Sequence, residues 1–597
     1  MDRSFSSHGN AGENNTTVRW FLLLFLLTGV LFLPVLGGEL LPFDDDVNIY
    51  LNPHLHGLGW EQLKWIFAEN GYLRRYQALS WLTWAELKQF FGLRPFVYHL
   101  AVLLFHAVNT GLVFLLINRL LRLSTRPSQP QAPPYLPICA ALAAAIWGLH
   151  PLRVESTAWA VELVYVQGLF FFLLSLLCYP SAVSPERNPH YGRYWTAVGL
   201  FAASLASFSI ALGGFVAFSA LDIFPLRRIS WDFRSWCSRT GRRAWLEKAP
   251  FFVIAVAAFW LNWHARAHLT AQAAAYWAKP PTLAEFGVFA RAMQATFIWA
   301  YYVWKPWLPL GLTPVPPQLV GFNPHGAPFL LSAAFVVVLS AWLFYQRHRW
   351  PWALALWLCH LALLVPVLGL AEFPHHPSDR YSLVVTIGWA IVLGGLFAKI
   401  WPNPQARRVL LVALVFLLPT LGVLSYRQMF VWRTSPALFQ HILAHLPDEP
   451  RLTVARVDFY GRLARAYEQH GELNEAVAAQ KAALRLDPNF PEGHYRLAGI
   501  LSAAGDVDAA AASYQTASRL DATLLPPFND LGVAYAKSGR LDQAVAEFKE
   551  ALVRQPDNPS ALQNMAQALT MQGRTNEAGD YLTRLRQVRE TAPANSH

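Results

Sequence analysis

The chain is 597 residues long, 54% hydrophobic and only 14% charged, with 24 Trp and 39 Phe. A mean hydropathy of +0.27 excludes an ordinary soluble protein of this size and marks a polytopic membrane protein. In such a chain the net charge of +11 reports how Lys and Arg are shared among loops, so it is read as topology and not as a nucleic-acid footprint.

The predicted elements begin with an apolar run over 20–37. Polar residues precede it and no small-residue cleavage site comes after it, so it reads as an uncleaved first span. A long loop, 38–95, comes next and holds the triple carboxylate Asp44-Asp45-Asp46. Further apolar runs lie at 96–118, 136–149, 158–179, 194–209, 211–224, 250–264, 327–345, 352–370, 382–400 and 409–425. Counted with the first, they predict about eleven spans. The stretch 286–304 is laid along the outer membrane surface, because a further span there would move Arg347, Arg349, Arg407 and Arg408 outside.

With a cytoplasmic N-terminus, the inner loops hold 19 Lys and Arg in 91 residues and the outer loops 11 in 139, the positive-inside pattern. The aspartate loop, His150, His375 to Tyr381 and everything after Tyr426 then face outward, the periplasm if the membrane is a bacterial cytoplasmic one. Cys139, Cys178, Cys237 and Cys359 show neither metal-ligand spacing nor a disulfide framework.

All the Trp lie at or before Trp432, and the remainder of the chain is Ala-rich, charged and free of long apolar runs. The chain therefore divides into a membrane domain over 1–430, a linker helix over 431–456 and a soluble domain. In the last of these Gly471, Gly505, Gly539 and Gly573 recur every 34 residues. In phase with them run Leu463/Leu497/Leu531/Met565, Ala464/Ala498/Gly532/Ala566 and Ala476/Ala510/Ala544/Ala578. Small residues where paired helices touch, large ones between and Gly at the turn form the tetratricopeptide pattern. Four repeats over 457–590 predict an α-solenoid whose groove takes protein or peptide segments, with a disordered tail over 591–597. The fold class expected is all-α.

The outer loops carry the candidate chemistry. A carboxylate beside others near a membrane surface is held above its usual pKa and can accept a proton from a hydroxyl. Asp44 and Asp45 could also hold a divalent cation against a phosphate, while Arg75, His150 and Arg380 could neutralise a phosphate leaving group. Each has a plainer role open to it. The Asp run could be a solvated capping loop, Arg380 a snorkelling anchor, His150 a helix-end hydrogen-bonding residue, and His375-His376 a surface loop. His99 and His106, two turns apart, read as interhelical hydrogen-bonding groups.

The string FDDDVNIYLNP (Phe43 to Pro53) resembles the first-loop motif of the transmembrane and tetratricopeptide repeat-containing O-mannosyltransferases and their bacterial relatives, glycosyltransferases of the GT-C class. The likeness continues through Phe91 to Leu116, Leu149-His150-Pro151 followed by Glu155, Ser378-Asp379-Arg380-Tyr381, and Trp432-Arg433 before the repeats. It implies a GT-C-like membrane domain that takes a sugar from a polyprenyl-phosphate carrier, mannose in the named family. Asp44 and Asp45, then Asp46, would be catalytic, and Arg380 would contact the donor phosphate. The chain departs from the pattern at Tyr76-Gln77-Ala78-Leu79, where relatives carry Tyr-Arg-Pro-Leu. It departs again at Glu162-Leu163-Val164 and near Ser207-Phe208-Ser209, where charged triplets are missing.

Two functions are compatible with these features. One is transfer of a sugar to a protein hydroxyl on the non-cytoplasmic face. The other is a catalytically inactive, membrane-anchored repeat scaffold for envelope proteins, which the missing charges favour. The partners expected are the bilayer, a lipid-linked sugar and protein segments, with no nucleic acid.

Overall fold

A computed structural model of the protein describes residues 5–68, 72, 75–125, 132–183, 190–267, 286–370, 377–521 and 526–591. Among these residues the only regular structure is helical. Arg74, His375, His376 and the tail from 592 lie outside them. The chain divides into two compact units, residues 1–438 and 439–597.

The first unit is built around the helix Pro95–Ser124, which packs on Phe5–Phe32, Leu136–Gly148 and Leu163–Val183. It opens on a Pro at its first position, where the missing N–H costs nothing. Gly111 lets the neighbouring helix close in: a Cβ there would sit 2.4 Å from the Phe21 ring. On one face of the same helix, His106 Nε2 lies 3.0 Å from the Gly148 carbonyl and His99 Nε2 3.3 Å from that of Glu39.

Among the described residues, six helical segments are long and apolar enough to cross a membrane: Asn15–Gly37, Pro95–Ser124, Ala160–Val183, Arg239–Ala265, Ala327–Tyr345 and Pro404–Trp432. The expectation of eleven is corrected by where the backbone breaks. The run 136–149 belongs to a pair of helices bent by 60° before Pro151, and 382–400 to a pair bent by 49° at Thr386, so bent pairs raise the total to at most eight. The runs 211–224 and 352–370 form the short apolar helices Ser209–Ile223 and Pro351–Val367, and 194–209 a 17-residue helix, Tyr191–Ser207. At 1.5 Å per residue these fall short of the roughly 30 Å hydrocarbon layer.

The segment expected along a surface, 286–304, is largely one helix. The helix Val288–Trp304 is packed into the unit, with Gln294 donating to the Leu368 carbonyl at 2.7 Å and Trp299 to that of Leu361 at 3.1 Å. Nor is 431–456 one helix. Pro447 and Pro450 separate the helix Ser435–His445 from a turn at Pro450–Leu452.

The basic segment 225–249 folds as two short helices pinned to Asp222, whose side chain accepts from Arg228 (3.0 Å), Tyr179 (2.9 Å) and Lys248. Elsewhere the unit leaves large apolar side chains outside, among them Val409, Val415 and Phe416, each at least 67% exposed.

The second unit holds four helical hairpins: Thr453–Gln469 with Leu473–Leu486, Pro491–Ala503 with Val507–Leu520, Pro526–Lys537 with Leu541–Arg554, and Pro559–Met571 with Thr575–Thr591. Each turn passes through a left-handed glycine, Gly471, Gly505, Gly539 and Gly573, at φ of 76°, 86°, 79° and 79°. Ala464, Ala476, Ala498, Ala510 and Ala544 are fully buried where helices touch. Gly532 takes the small position because the Phe548 ring fills the space, 2.5 Å from where a Cβ would stand.

Candidate functional site

Within the first unit the charged side chains gather at three places where the chain leaves the helical path. The first comes after the opening helix. There Asp44 adopts φ +80°, a conformation sparsely populated by non-glycine residues and concentrated at functional sites. Its carbonyl accepts both the backbone N–H and the side-chain amide of Asn48, at 3.1 and 2.8 Å. Gln77 donates 3.3 Å to the Asn48 side chain.

The second break is Leu149 to Glu162. Pro151 offers no N–H to continue the preceding helix, His150 is extended, and three short turns intervene before the helix restarts at Leu163. The third is Ser378 to Thr386, where a single turn, Asp379–Tyr381, precedes a second short one.

These breaks bring Arg380 between two glutamates. Its guanidinium bonds Glu155, stands 3.7 Å from Glu162 through Nε, and lies over the rings of Trp159 (5.3 Å) and Tyr381 (4.9 Å). The second oxygen of Glu155 accepts the Asp379 N–H at 2.8 Å. Asp44 and Arg75 both come close enough to Glu162 to act on its charge. Arg153, buried, reaches Ser382 Oγ at 2.5 Å, and Asp379 interacts with Arg153 and Lys305. Tyr302 donates to the Ser378 carbonyl at 2.6 Å and so ties the helix Val288–Trp304 to this group. Burial lowers the Lys305 ammonium against the opposing pull of Asp379. Four acids (Asp44, Glu155, Glu162, Asp379) thus balance four cations (Arg75, Arg153, Lys305, Arg380). Glu162 Oε2 has no hydrogen-bond partner among the described residues.

The three aspartates separate into different roles. Asp45 is fully buried, and its two oxygens accept the N–H groups of Leu41 and Val161, each at 2.8 Å. Burial pushes its carboxyl well above the ordinary range, partly opposed by those two bonds. Asp45 therefore joins the first break to the second and does not form a chelating pair with Asp44. Asp46 opens the turn Asp46–Tyr50, and its charge adds to burial in raising the Tyr50 phenol. Asp44, half-buried, is the carboxylate beside the acid–arginine group.

His150, expected as a phosphate ligand, is held by two hydrogen bonds. Nε2 donates to the Pro306 carbonyl at 2.8 Å while Nδ1 accepts from the Leu152 N–H at 3.2 Å, so both nitrogens are occupied. Arg75 stacks 5.3 Å from the Phe208 ring, at the position of one missing charged triplet. Sequence reasoning treated Glu162 as the remnant of a motif and passed over Arg153, Asp379 and Lys305. The usable signal was an ionisable residue inside or at the edge of an apolar run, a functional site by default in membrane proteins.

Residues 462–523 and 535–594 each match the tetratricopeptide repeat family model, so the second unit carries tetratricopeptide repeats, a protein-interaction module. Among solved structures the chain is similar to "Crystal structure of MamA protein" at 21% identity, covering 26% of this chain and 81% of that one, TM-score 0.23. It is also similar to "MamA 41-end from Desulfovibrio magneticus RS-1" at 17% identity, covering 28% and 93%, TM-score 0.24. No curated protein matches the chain.

Proposed function

We propose that the chain is a membrane-anchored recruiting factor, with the apolar first unit resident in a bilayer and the repeats binding segments of a protein partner. The observation that carries this reading is the series of four hairpins on left-handed glycine turns, two stretches of which match the tetratricopeptide repeat. The apolar helices support residence as a multi-pass protein of a bacterial cytoplasmic membrane. The domain layout that goes with it is a membrane region to about residue 430 and four repeats over 457–590.

The acid–arginine group favours a second, catalytic reading: transfer of a sugar, mannose in the family resembled, from a polyprenyl-phosphate carrier to a protein hydroxyl. Asp44 takes the hydroxyl proton, the oxygen attacks the anomeric carbon, and the bond to the lipid phosphate breaks with inversion. Arg75, a cation close enough to act on Glu162, meets the leaving phosphate. Arg380 joins it only by exchanging Glu155 or Glu162 for phosphate.

Complementation of a null strain separates the two. The recruiting reading expects the repeats, tethered to one unrelated span, to restore the phenotype, and Asp44→Asn in the full chain to be harmless. The catalytic reading expects the tethered repeats and Asp44→Asn both to fail. It also expects purified wild-type protein to label a protein acceptor from one of a panel of radiolabelled polyprenyl-phosphate sugars.

A further inference from the structure

The helix Ile387–Ile400 borders a partly open apolar cavity of about 1000 Å³, lined also by Pro95–Ser124, the start of Leu136–Gly148, Leu163–Val183, the end of Phe215–Ile223 and Pro351–Leu364. Two glycines two turns apart, Gly388 and Gly395, lie on the cavity wall, and a Cβ built on either meets nothing within 4 Å. The cavity is open along this helix because these positions lack side chains.

Three of its polar wall groups are already engaged. Ser124 and Thr125 donate to the carbonyls of Leu120 and Arg122, at 2.7 and 2.6 Å, and His360 Nε2 lies 3.0 Å from the Trp299 carbonyl. A sugar would find few donors or acceptors here; a hydrocarbon chain needs none. From Ile387 to Lys399 the cavity runs along about 18 Å of helix, close to the roughly 15 Å of one leaflet's hydrocarbon.

One end of the cavity carries a lysine, Lys399, among segments rich in arginine. Thr125, Tyr135, Pro225, Trp352 and Lys399 line that end, and Tyr135 stacks on Trp401 just beyond Lys399. The segments arriving there carry Arg122, Arg227, Arg347, Arg349, Lys399, Arg407 and Arg408, and no Asp or Glu occurs in 119–136, 346–352 or 395–408. Lys399 is exposed at this rim and forms no ion pair among the described residues.

We propose that this cavity holds an acyl chain of an anionic glycerophospholipid whose phosphate is met by Lys399 at the cationic rim. The proposal rests on the membrane residence inferred for the first unit and is independent of the acid–arginine group. The lipid fills space that the surrounding helices leave open, and so is part of the folded unit.

The test is native mass spectrometry of the full chain, delipidated in detergent and titrated with phosphatidylglycerol, phosphatidylcholine or a polyprenyl phosphate. One phosphatidylglycerol should bind per chain, about fivefold or more tightly than phosphatidylcholine, the weight of roughly one basic residue. Lys399→Glu should remove that preference. Gly388→Leu/Gly395→Leu, which fills the cavity, should abolish binding, with an unchanged melting profile showing that the variant folds. Equal affinity for the two phospholipids, preference for the polyprenyl phosphate, or binding indifferent to Lys399→Glu and to the glycine pair would overturn the proposal. Release of the chain from membranes by alkaline carbonate would instead overturn membrane residence.

Discussion

Replacing Arg380 by Gln removes a cation that contacts both Glu155 and Glu162. The two carboxylates are 2% and 4% exposed and Arg380 itself 16%, so solvent screens the loss little. Breaking a buried ion pair from one side costs about 3–5 kcal/mol because the remaining charge stays desolvated. Lost stacking on Trp159 and Tyr381 adds about 0.5–1 kcal/mol. Taking the lower end for Arg380's partial exposure, we expect a loss of about 3–4 kcal/mol, measured by denaturant unfolding in mild detergent. The triple change Arg380→Met, Glu155→Gln, Glu162→Gln removes all three charges and should recover more than half of that loss. An R380Q protein within about 0.5 kcal/mol of wild type would match an ordinary surface substitution and refute the picture of a desolvated, mutually compensating group.

Three other outcomes hinge on single residues. Asp44→Gly relieves a left-handed backbone and should leave stability unchanged or raise it by about 1 kcal/mol, whereas Asp44→Val should lower it by at least as much; equal melting of the two would show that φ at this position carries no strain. Asp45 holds its proton more tightly folded than unfolded, so its contribution to stability is greatest below the usual carboxylate pKa of about 4 and is lost as pH rises through the raised value. The stability of wild type relative to Asp45→Asn should therefore fall from pH 4 to pH 8, and a flat difference would contradict its burial. In the repeats, Gly532→Ala drives a methyl into the Phe548 ring and should cost about 1–3 kcal/mol, with Phe548→Leu in the same chain restoring part of it; a silent Gly532→Ala melt would place that ring elsewhere.

The repeats were legible because their information is periodic. A glycine every 34 residues and an alanine in fixed phase with it name both the turn and the contact. The membrane-type unit was legible in composition but not in continuity. An apolar run such as 382–400 does not announce the bend at Thr386, since a 49° break needs only one turn whose hydrogen bonds are satisfied elsewhere, as at Asp379 by Glu155. The site shows the same division. Three adjacent aspartates pointed to the right loop, but which one faces the charged group depends on φ at Asp44 and on two N–H groups aimed at Asp45, one of them 116 residues away. Glu162 stood out only as the survivor of an incomplete motif. Its importance comes from Arg380, which joins it through the folding of a distant segment.

The four glycine turns have a consequence for how the repeats tolerate change. Each hairpin closes through the same left-handed joint, with φ between 76° and 86°, and a Cβ at any of the four meets nothing within 4 Å. A side chain there is therefore opposed by the backbone alone, at about 1–2 kcal/mol, and leaves the contacts between helices untouched.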